Sequence, residues 1–286
     1  MKPKILLQLD ADKHPSAFDA VVAIDAGVDH LLSHGAVEPE EVESLVHGAI
    51  FTRGPSDLKS TAIFIGGHSV ARGEELLANV TKTFFGPMRT SVMLDSNGAN
   101  TTAAAAVIAA GRHLDFEHTR SLVLGGTGPV GQRVALLLAR QGAKVELASR
   151  SVDRAADACA ALVAKQQGAA VEPLAFGPGA KLEAQYDLIV AAGAAGAQLI
   201  SKEQLGAQNY LHVVVDLNAV PPAGIEGIDP MDAGREESSL VHYGAIGVGG
   251  IKMKIHKAAI ARLFESNDQV FDAAEIHDLG LRLEAE

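Results

Sequence analysis

The sequence predicts an α/β protein of two domains, built on parallel sheets covered by helices. Three observations predict it. Short apolar runs alternate with helix-length segments along most of the chain. The 286 residues correspond to two domains at roughly 100–200 residues each. The alternation also restarts near Arg120, where a strand-like run leads straight into a glycine-rich turn.

In the first series, residues 4–9 read as a buried strand and 16–26 as a helix with Ser16 as its N-cap. Residues 61–65 form the next strand, ending at Gly66 and Gly67, and 74–84 the next helix. Residues 91–94 form a third strand, closed by Asp95, Ser96, Asn97 and Gly98, and 102–110 an alanine-rich helix. The second series has strands at 121–124, 143–149, 187–191 and 212–216, with helices at 129–141 and 152–167. Past Pro221 and Pro222, residues 229–239 read as a polar loop, and helices over about 251–266 and 272–283 end the chain. The expected domains are 1–105 and 106–266, with 267–286 returning to the first.

Composition narrows the function. Hydrophobic residues make up 48% and charged residues 21%, which are globular proportions. The net charge of -11 and the lack of a Lys/Arg cluster argue against a nucleic-acid partner. No uncharged apolar run reaches membrane-spanning length, and the apolar run near the N-terminus is too short for a signal peptide, so a cytoplasmic protein is expected. The single cysteine, Cys159, precludes an intramolecular disulfide and reads as a packing residue. His14, His30, His34, His47 and His68 show no metal-ligand spacing, and no metal is expected.

The sharpest motif is Gly126-Thr127-Gly128-Pro129-Val130-Gly131, which fits G-x-G-x-x-G between an apolar strand and an amphipathic helix. The first glycine permits the turn, the second lets a pyrophosphate approach the backbone, and the third allows helix–strand packing. Pro129 suits a first helical turn. The next strand ends in Ser149 and Arg150, with Arg154 one turn further on. An NAD site places a carboxylate at that tip, whereas Glu146 falls mid-strand. Hydroxyls and guanidinium groups suit a 2′-phosphate, so the expected cofactor is NADP. Ala192, Gly193 and Asn218 end the later strands at the sheet edge where a cofactor lies.

Two further stretches stay open on residues alone. Asp95, Asn97, Asn100 and Thr102 lie between a strand and a helix, either as ligand contacts or as a turn and helix cap. In 247–256, a helix starting near Gly250 puts Lys252 and His256 on one face. They either hold an anionic or carbonyl-bearing substrate or form an exposed basic helix start.

The ordered motifs resemble the NADP-dependent methylene-tetrahydromethanopterin dehydrogenases of methylotrophic bacteria, cousins of the methylene-tetrahydrofolate dehydrogenases. The matching stretches are Asp19-Ala-Val-Val22 beside Phe18, Ser60-Thr-Ala-Ile-Phe-Ile-Gly-Gly67, Phe84-Phe-Gly-Pro87 and Met93-Leu-Asp-Ser-Asn-Gly-Ala-Asn-Thr-Thr-Ala-Ala-Ala105. The match continues through the 126–131 loop, Asn218-Ala-Val-Pro-Pro222, Gly224-Ile-Glu-Gly-Ile-Asp229, Gly249-Gly-Ile-Lys-Met-Lys-Ile-His256 and Leu263-Phe-Glu-Ser266. The resemblance implies an open α/β pterin domain and a Rossmann NADP domain, with pterin and cofactor meeting in a cleft between them. It implies a homo-oligomer, a trimer, whose neighbouring subunit completes the crevice. It assigns the substrate site to Phe18, Thr102, Lys252 and His256, and the activity to oxidation of a methylene group in one-carbon metabolism, on the route of formaldehyde oxidation. A tetrahydrofolate enzyme and a non-catalytic NADP sensor are the alternatives.

Overall fold

The computed structural model describes residues 2–177 and 179–286. The chain begins with β1 (Ile5–Leu9), α1 (Ala17–Asp25), β2 (His30–His34), α2 (Val42–Ile50), β3 (Thr61–Ile65), α3 (Val70–Thr83), β4 (Ser91–Leu94) and α4 (Ala99–Gly111). It continues with β5 (Arg120–Leu124), α5 (Pro129–Arg140), β6 (Lys144–Ser149), α6 (Val152–Lys165), β7 (Val171–Ala175), β8 (Leu188–Ala191), α7 (Lys202–Gly206) and β9 (Val213–Asp216). Then come β10 (Ala233–Glu237), β11 (Leu240–Tyr243), α8 (Ala245–Arg262), β12 (Val270–Phe271) and α9 (Ala273–Ala285). Two compact units result: Met1–Thr101 with Met253–Glu286, and Thr102–Lys252. Both divisions fall inside helices, α4 and α8.

The first unit holds a five-stranded sheet in the order β12-β4-β3-β1-β2, with every neighbouring pair parallel. This is a doubly wound sheet, and its strand order reverses between β1 and β3. All of β3 and β4 is buried, as expected of strands covered on both faces. Leu9, Ile63, Ile65 and Leu94 of the sheet pack with Val46 and Ile50 of α2 and Leu76 and Val80 of α3. Ser16 caps α1 as expected, its hydroxyl accepting the Asp19 N–H at 3.2 Å.

The second unit holds a seven-stranded sheet, β10-β11-β9-β8-β5-β6-β7, parallel except at β10. Read from β7 to β11 it has the Rossmann order, with the reversal between β5 and β8. Residues 103–110 of α4 are buried on every side, and alanine is the side chain that admits such close packing. Cys159 is buried in α6 as a packing residue, and burial pushes its thiol up. Among the described residues no helix is long and apolar enough to cross a membrane.

Two expectations are corrected. The 229–239 stretch is not all loop, because β10 runs through it, antiparallel to β11. As an edge strand carrying Arg235, Glu236 and Glu237, it lacks the apolar pattern that marks buried strands. Helix α8 starts at Ala245 rather than near Gly250. The Ile246 and Gly247 N–H groups both donate to the Pro230 carbonyl, at 2.8 and 3.1 Å, and Gly244 N–H donates to the Asp232 carbonyl at 2.8 Å. These bonds satisfy donors that a helix start leaves open. A Cβ at Gly247 would lie 1.8 Å from the Asp232 carbonyl oxygen, and one at Gly244 would lie 2.1 Å from that of Asp229. The glycines therefore seat the helix on backbone and do not form a turn before it.

This seat is testable by urea denaturation. Gly247→Ala is expected to cost about 3 kcal/mol, because backbone cannot move aside as a flexible side chain can. Gly249→Ala is expected to gain about 0.5–1 kcal/mol. At that position a Cβ meets nothing within 4 Å among the described residues.

Candidate functional site

In the second unit the loops after β5 and β8 meet at the strand-order reversal. Gly125, with φ +67°, brings them together: a Cβ there would lie 2.5 Å from Gly193 Cα. A Cβ at Gly126 would lie 2.5 Å from Leu147 Cγ, and one at Gly131 would lie 2.7 Å from Gly126 Cα. Gly128 differs, since the nearest atom to its Cβ position is 3.4 Å away. The first and third motif glycines thus serve packing, and the middle one leaves room. The loop is held by Gly126 N–H to the Ala148 carbonyl (3.0 Å), Gly128 N–H to the Gly125 carbonyl (3.1 Å) and the Gln132 side chain to the Thr127 carbonyl (2.8 Å). Pro129 opens α5, so the N–H groups of Val130 and Gly131 lie in the helix's first turn, where an anion is favoured.

A cavity of about 610 Å³ opens at this edge. It is lined by Thr127, Gly128, Pro129, Ser149, Arg150, Arg154, Ala192 and Gly193. Gly125, Phe176, Gly177 and Ala197 to Leu199 also line it, and the sequence motif points to none of these. Phe176 and Gly177 follow β7 and enter the site only through the sheet topology. No carboxylate lines the cavity among the described residues. Glu146 sits mid-strand as expected, its carboxylate bonded by Arg120 and by the Tyr186 hydroxyl. Burial and that carboxylate push the Tyr186 phenol well above its ordinary range. Ser149 is buried at the strand tip, its hydroxyl accepting the Ser151 N–H at 3.3 Å. Two guanidinium groups, a hydroxyl and open helix-start N–H groups fit a dinucleotide with a 2′-phosphate.

Asn218 has a different position. Its amide donates to the Pro222 carbonyl at 3.1 Å, and its carbonyl accepts from Val220 N–H at 3.0 Å and Gly196 N–H at 3.4 Å. It shapes the 218–222 loop and is not among the cavity-lining residues. Asp216 stands at the end of β9, accepting the Asn218 and Ile225 N–H groups at 3.0 and 2.9 Å. Burial raises its carboxyl, although these N–H groups oppose the shift.

In the first unit the reversal between β1 and β3 sets out a second group. Asp10, just after β1, accepts the Asp12 and Ser16 N–H groups at 2.8 and 3.1 Å. Gly67, with φ +91°, places its Cβ position 2.9 Å from Asp10 Oδ1. At Gly66 that position lies 3.3 Å from both Asp10 Oδ2 and Phe64 Cε1, and 3.5 Å from Asp19 Oδ2. His68 bonds Asp12 through both its backbone N–H and its ring. That side-chain hydrogen bond raises the His68 ring and lowers the Asp12 carboxyl.

Phe18 and His256 come together here. Phe18 is 54% exposed, with its ring centroid 6.3 Å from that of the fully buried His256. His256 stacks on Phe64 at 5.7 Å, a residue that sequence reading assigns only to a buried strand. Lys252 lies one turn before His256 in α8, as expected from their spacing. Thr102 is inside α4, which begins at Ala99, so it does not cap the helix. Asp95 takes that part, accepting the Asn100 and Thr101 N–H groups at 2.9 and 3.0 Å and the Thr101 hydroxyl at 2.6 Å. The Asn100 amide bonds the Leu94 carbonyl and Asp272, at 2.6 and 2.9 Å. Asn97 is exposed in the left-handed region, φ 55°, its N–H held by the Gly67 carbonyl at 2.7 Å. Among the described residues no group of three or more His, Cys, Asp or Glu is placed to hold a metal.

A Rossmann sheet with this loop and cavity defines a dinucleotide-binding unit of the dehydrogenase type. The fold is shared with 5-ketofructose reductase of Gluconobacter sp. strain CHM43 in its ligand-free form (TM-score 0.53, 14% identity, 99% of each chain). It is shared equally with quinate dehydrogenase from Corynebacterium glutamicum in complex with NAD (TM-score 0.53, 16% identity, 98% of this chain and 100% of that one). A family model for the N-terminal region of methylene-tetrahydromethanopterin dehydrogenase matches residues 17–97. Along its length the chain is 44% identical to the bifunctional protein MdtA of Methylorubrum extorquens, covering 98% of both. It is 32% identical to the NAD(P)-dependent methylenetetrahydromethanopterin dehydrogenase of the same organism, covering 94% of both. The chain belongs to the methylene-tetrahydromethanopterin dehydrogenase family.

Two substitutions test the cavity by NADP titration. Gly131→Ala pushes a Cβ onto Gly126 and is expected to weaken NADP binding about tenfold or more. Arg150→Gln is expected to raise the Kd for NADP about tenfold while that for NAD changes less than twofold. Equal losses for both dinucleotides would remove Arg150 from 2′-phosphate recognition.

Proposed function

We propose that the protein oxidises 5,10-methylene-tetrahydromethanopterin to the methenyl form in one-carbon metabolism, with NADP taking the hydride as NADPH. One observation carries the reading. A phosphate loop with a guanidinium-lined strand tip stands in a chain 44% identical, over 98% of its length, to a member of this family.

The methylene carbon lies between two nitrogens whose lone pairs stabilise the cation left by hydride loss. No proton leaves that carbon, so the residues need to bind and orient more than to act as acid or base. The second unit takes the cofactor. The 126–131 loop takes the pyrophosphate: Gly126 and Gly131 shape it by packing, Thr127, Gly128 and Pro129 face the space, and the Val130 and Gly131 N–H groups of the first helical turn meet the anion, while Ser149, Arg150 and Arg154 hold the 2′-phosphate. Ala192 and Gly193 flank the nicotinamide side, with Asn218 shaping the next loop.

The first unit takes the pterin. Phe18 offers its exposed ring for stacking, and His256 and Phe64 back that ring. Asp95 and Asn100 brace the 95–101 segment that presents Asn97, and Thr102 comes next in the chain, in α4, as the first residue of the second unit. A cationic side chain next to a developing cation would oppose reaction, so Lys252 grips the substrate away from the reacting carbon. The finer reading is a cytoplasmic homo-oligomer on the route of formaldehyde oxidation in methylotrophic growth. The single buried cysteine supports a reducing compartment. The exposed apolar side chains of Val21 and Ile24 on α1 support self-association.

Initial rates of NADPH formation with methylene-tetrahydromethanopterin and NADP, beside matched assays with NAD and with methylene-tetrahydrofolate, test the reading. Turnover is expected to be fastest with the methanopterin substrate and NADP. Tight NADP binding with no turnover on either pterin would replace the dehydrogenase by a sensor. Lys252→Ala is expected to change kcat or KM by more than about twofold, and smaller changes in both would dismiss its role.

A further inference from the structure

The seat of α8 is itself held from the side, by a charged group outside both ligand sites. The Arg235 guanidinium donates to both Asp232 oxygens, from Nε at 2.7 Å and from Nη2 at 3.1 Å. It donates also to Glu237 at 2.6 Å and to His242 Nδ1 at 2.8 Å. Asp232 is buried and accepts the Asp229 N–H at 3.0 Å, which closes the 229–232 turn. That turn supplies the Pro230 and Asp232 carbonyls that receive the first N–H groups of α8. Lys252 lies on the same helix, about two turns past Ala245, and in the same unit.

His242 sets the condition for the clamp. Its Nδ1 accepts from Arg235, so the ring is neutral and carries its proton on Nε2. The ring is 8% exposed, and Nε2 has no hydrogen-bond partner among the described residues. Protonation would set an N–H against the Arg235 N–H and break the contact. The charges that act on the ring are those of Arg235, which touches it, of Asp232 and Glu237 on the β10 side, and of Lys202 in α7. Burial, with the Arg235 charge behind it, keeps the ring below the ordinary histidine range. Burial pushes the Asp232 carboxyl up, but the Arg235 bonds and the Asp229 N–H outweigh it.

We propose that Arg235 is a positioning residue: with neutral His242 it locks the Asp229–Asp232 turn, fixes the first turn of α8 and so sets how Lys252 meets the substrate. The catalytic half of this proposal rests on the role given to Lys252 above.

Hydrogen exchange of the Gly244, Ile246 and Gly247 amides reads the clamp directly, and steady-state kinetics read its effect. Arg235→Gln is expected to lower protection at these amides at least tenfold. It should raise the KM for methylene-tetrahydromethanopterin about fivefold while the KM for NADP stays within twofold. Arg235→Lys, which keeps one charged donor group, should recover part of both losses. In the wild type, protection at these amides should fall as pH drops from about 6.5 to 5, and in His242→Gln, whose carbonyl accepts from Arg235 at any pH, it should not. Protection within twofold of wild type in Arg235→Gln overturns the clamp. Equal rises in both KM values overturn the link to Lys252. The exchange result decides the clamp whether or not the enzyme turns over these substrates, so failure of the functional reading is separately visible.

Discussion

Backbone packed directly on backbone, with no side chain between, is the constraint on which the rest of the protein depends. It recurs at two places: Gly125 meets Gly193 where the Rossmann sheet reverses its order, and Gly244 and Gly247 meet the 229–232 turn. Where the first sheet reverses, Gly66 and Gly67 instead close on the Asp10 carboxylate. Strand reversal leaves two loops diverging from adjacent strand ends, and ligands bind in the opening. Close approach below the opening holds those loops still. The motif glycines divide accordingly: Gly126 and Gly131 belong to packing, and Gly128 leaves space for a ligand.

The second recurring device is a buried carboxylate at a strand end. Asp10 follows β1, Asp95 follows β4 and Asp216 ends β9, and each accepts two backbone N–H groups from the segment that follows. A carboxylate receiving N–H groups in this way folds the next loop into one shape, since the donors would otherwise be buried without partners. The acidic character of the chain is therefore partly architectural. Its net charge of -11 coexists with a cavity that no carboxylate lines among the described residues, and at cavity range the near guanidinium groups outweigh screened charges further off.

What the sequence makes legible follows from burial. Strands β3 and β4 read correctly to the residue, because fully buried strands are continuous apolar runs bounded by polar or glycine turns. Helix α5 reads equally well from Pro129 and its amphipathic pattern. Strands β2, β7 and β10 are exposed or charged along much of their length and leave no such pattern, and β12 has only two residues. The start of α8 is hidden for another reason. Glycine is the common mark of a turn, and only the backbone across from Gly247 reveals that here it marks contact. Within the site, Thr127, Gly128 and Pro129 of the motif and the strand-tip residues Ser149, Arg150 and Arg154 are local signals and share one cavity, while Gly126, Val130 and Gly131 do not line it. Phe176, Phe64 and Arg235 carry no local signal, since each acquires its place from an element distant in sequence. The two unit divisions fall inside helices, where composition does not change.

The packing of Cys159 has a practical consequence for the chemistry that can be done on this protein. A thiol reacts as its thiolate, and a buried thiol pushed up in pKa offers little of it. The folded chain is in effect blank to thiol reagents. A cysteine placed at an exposed site such as Leu32 would be labelled alone, which makes the native sequence a ready background for attaching a single optical or spin probe.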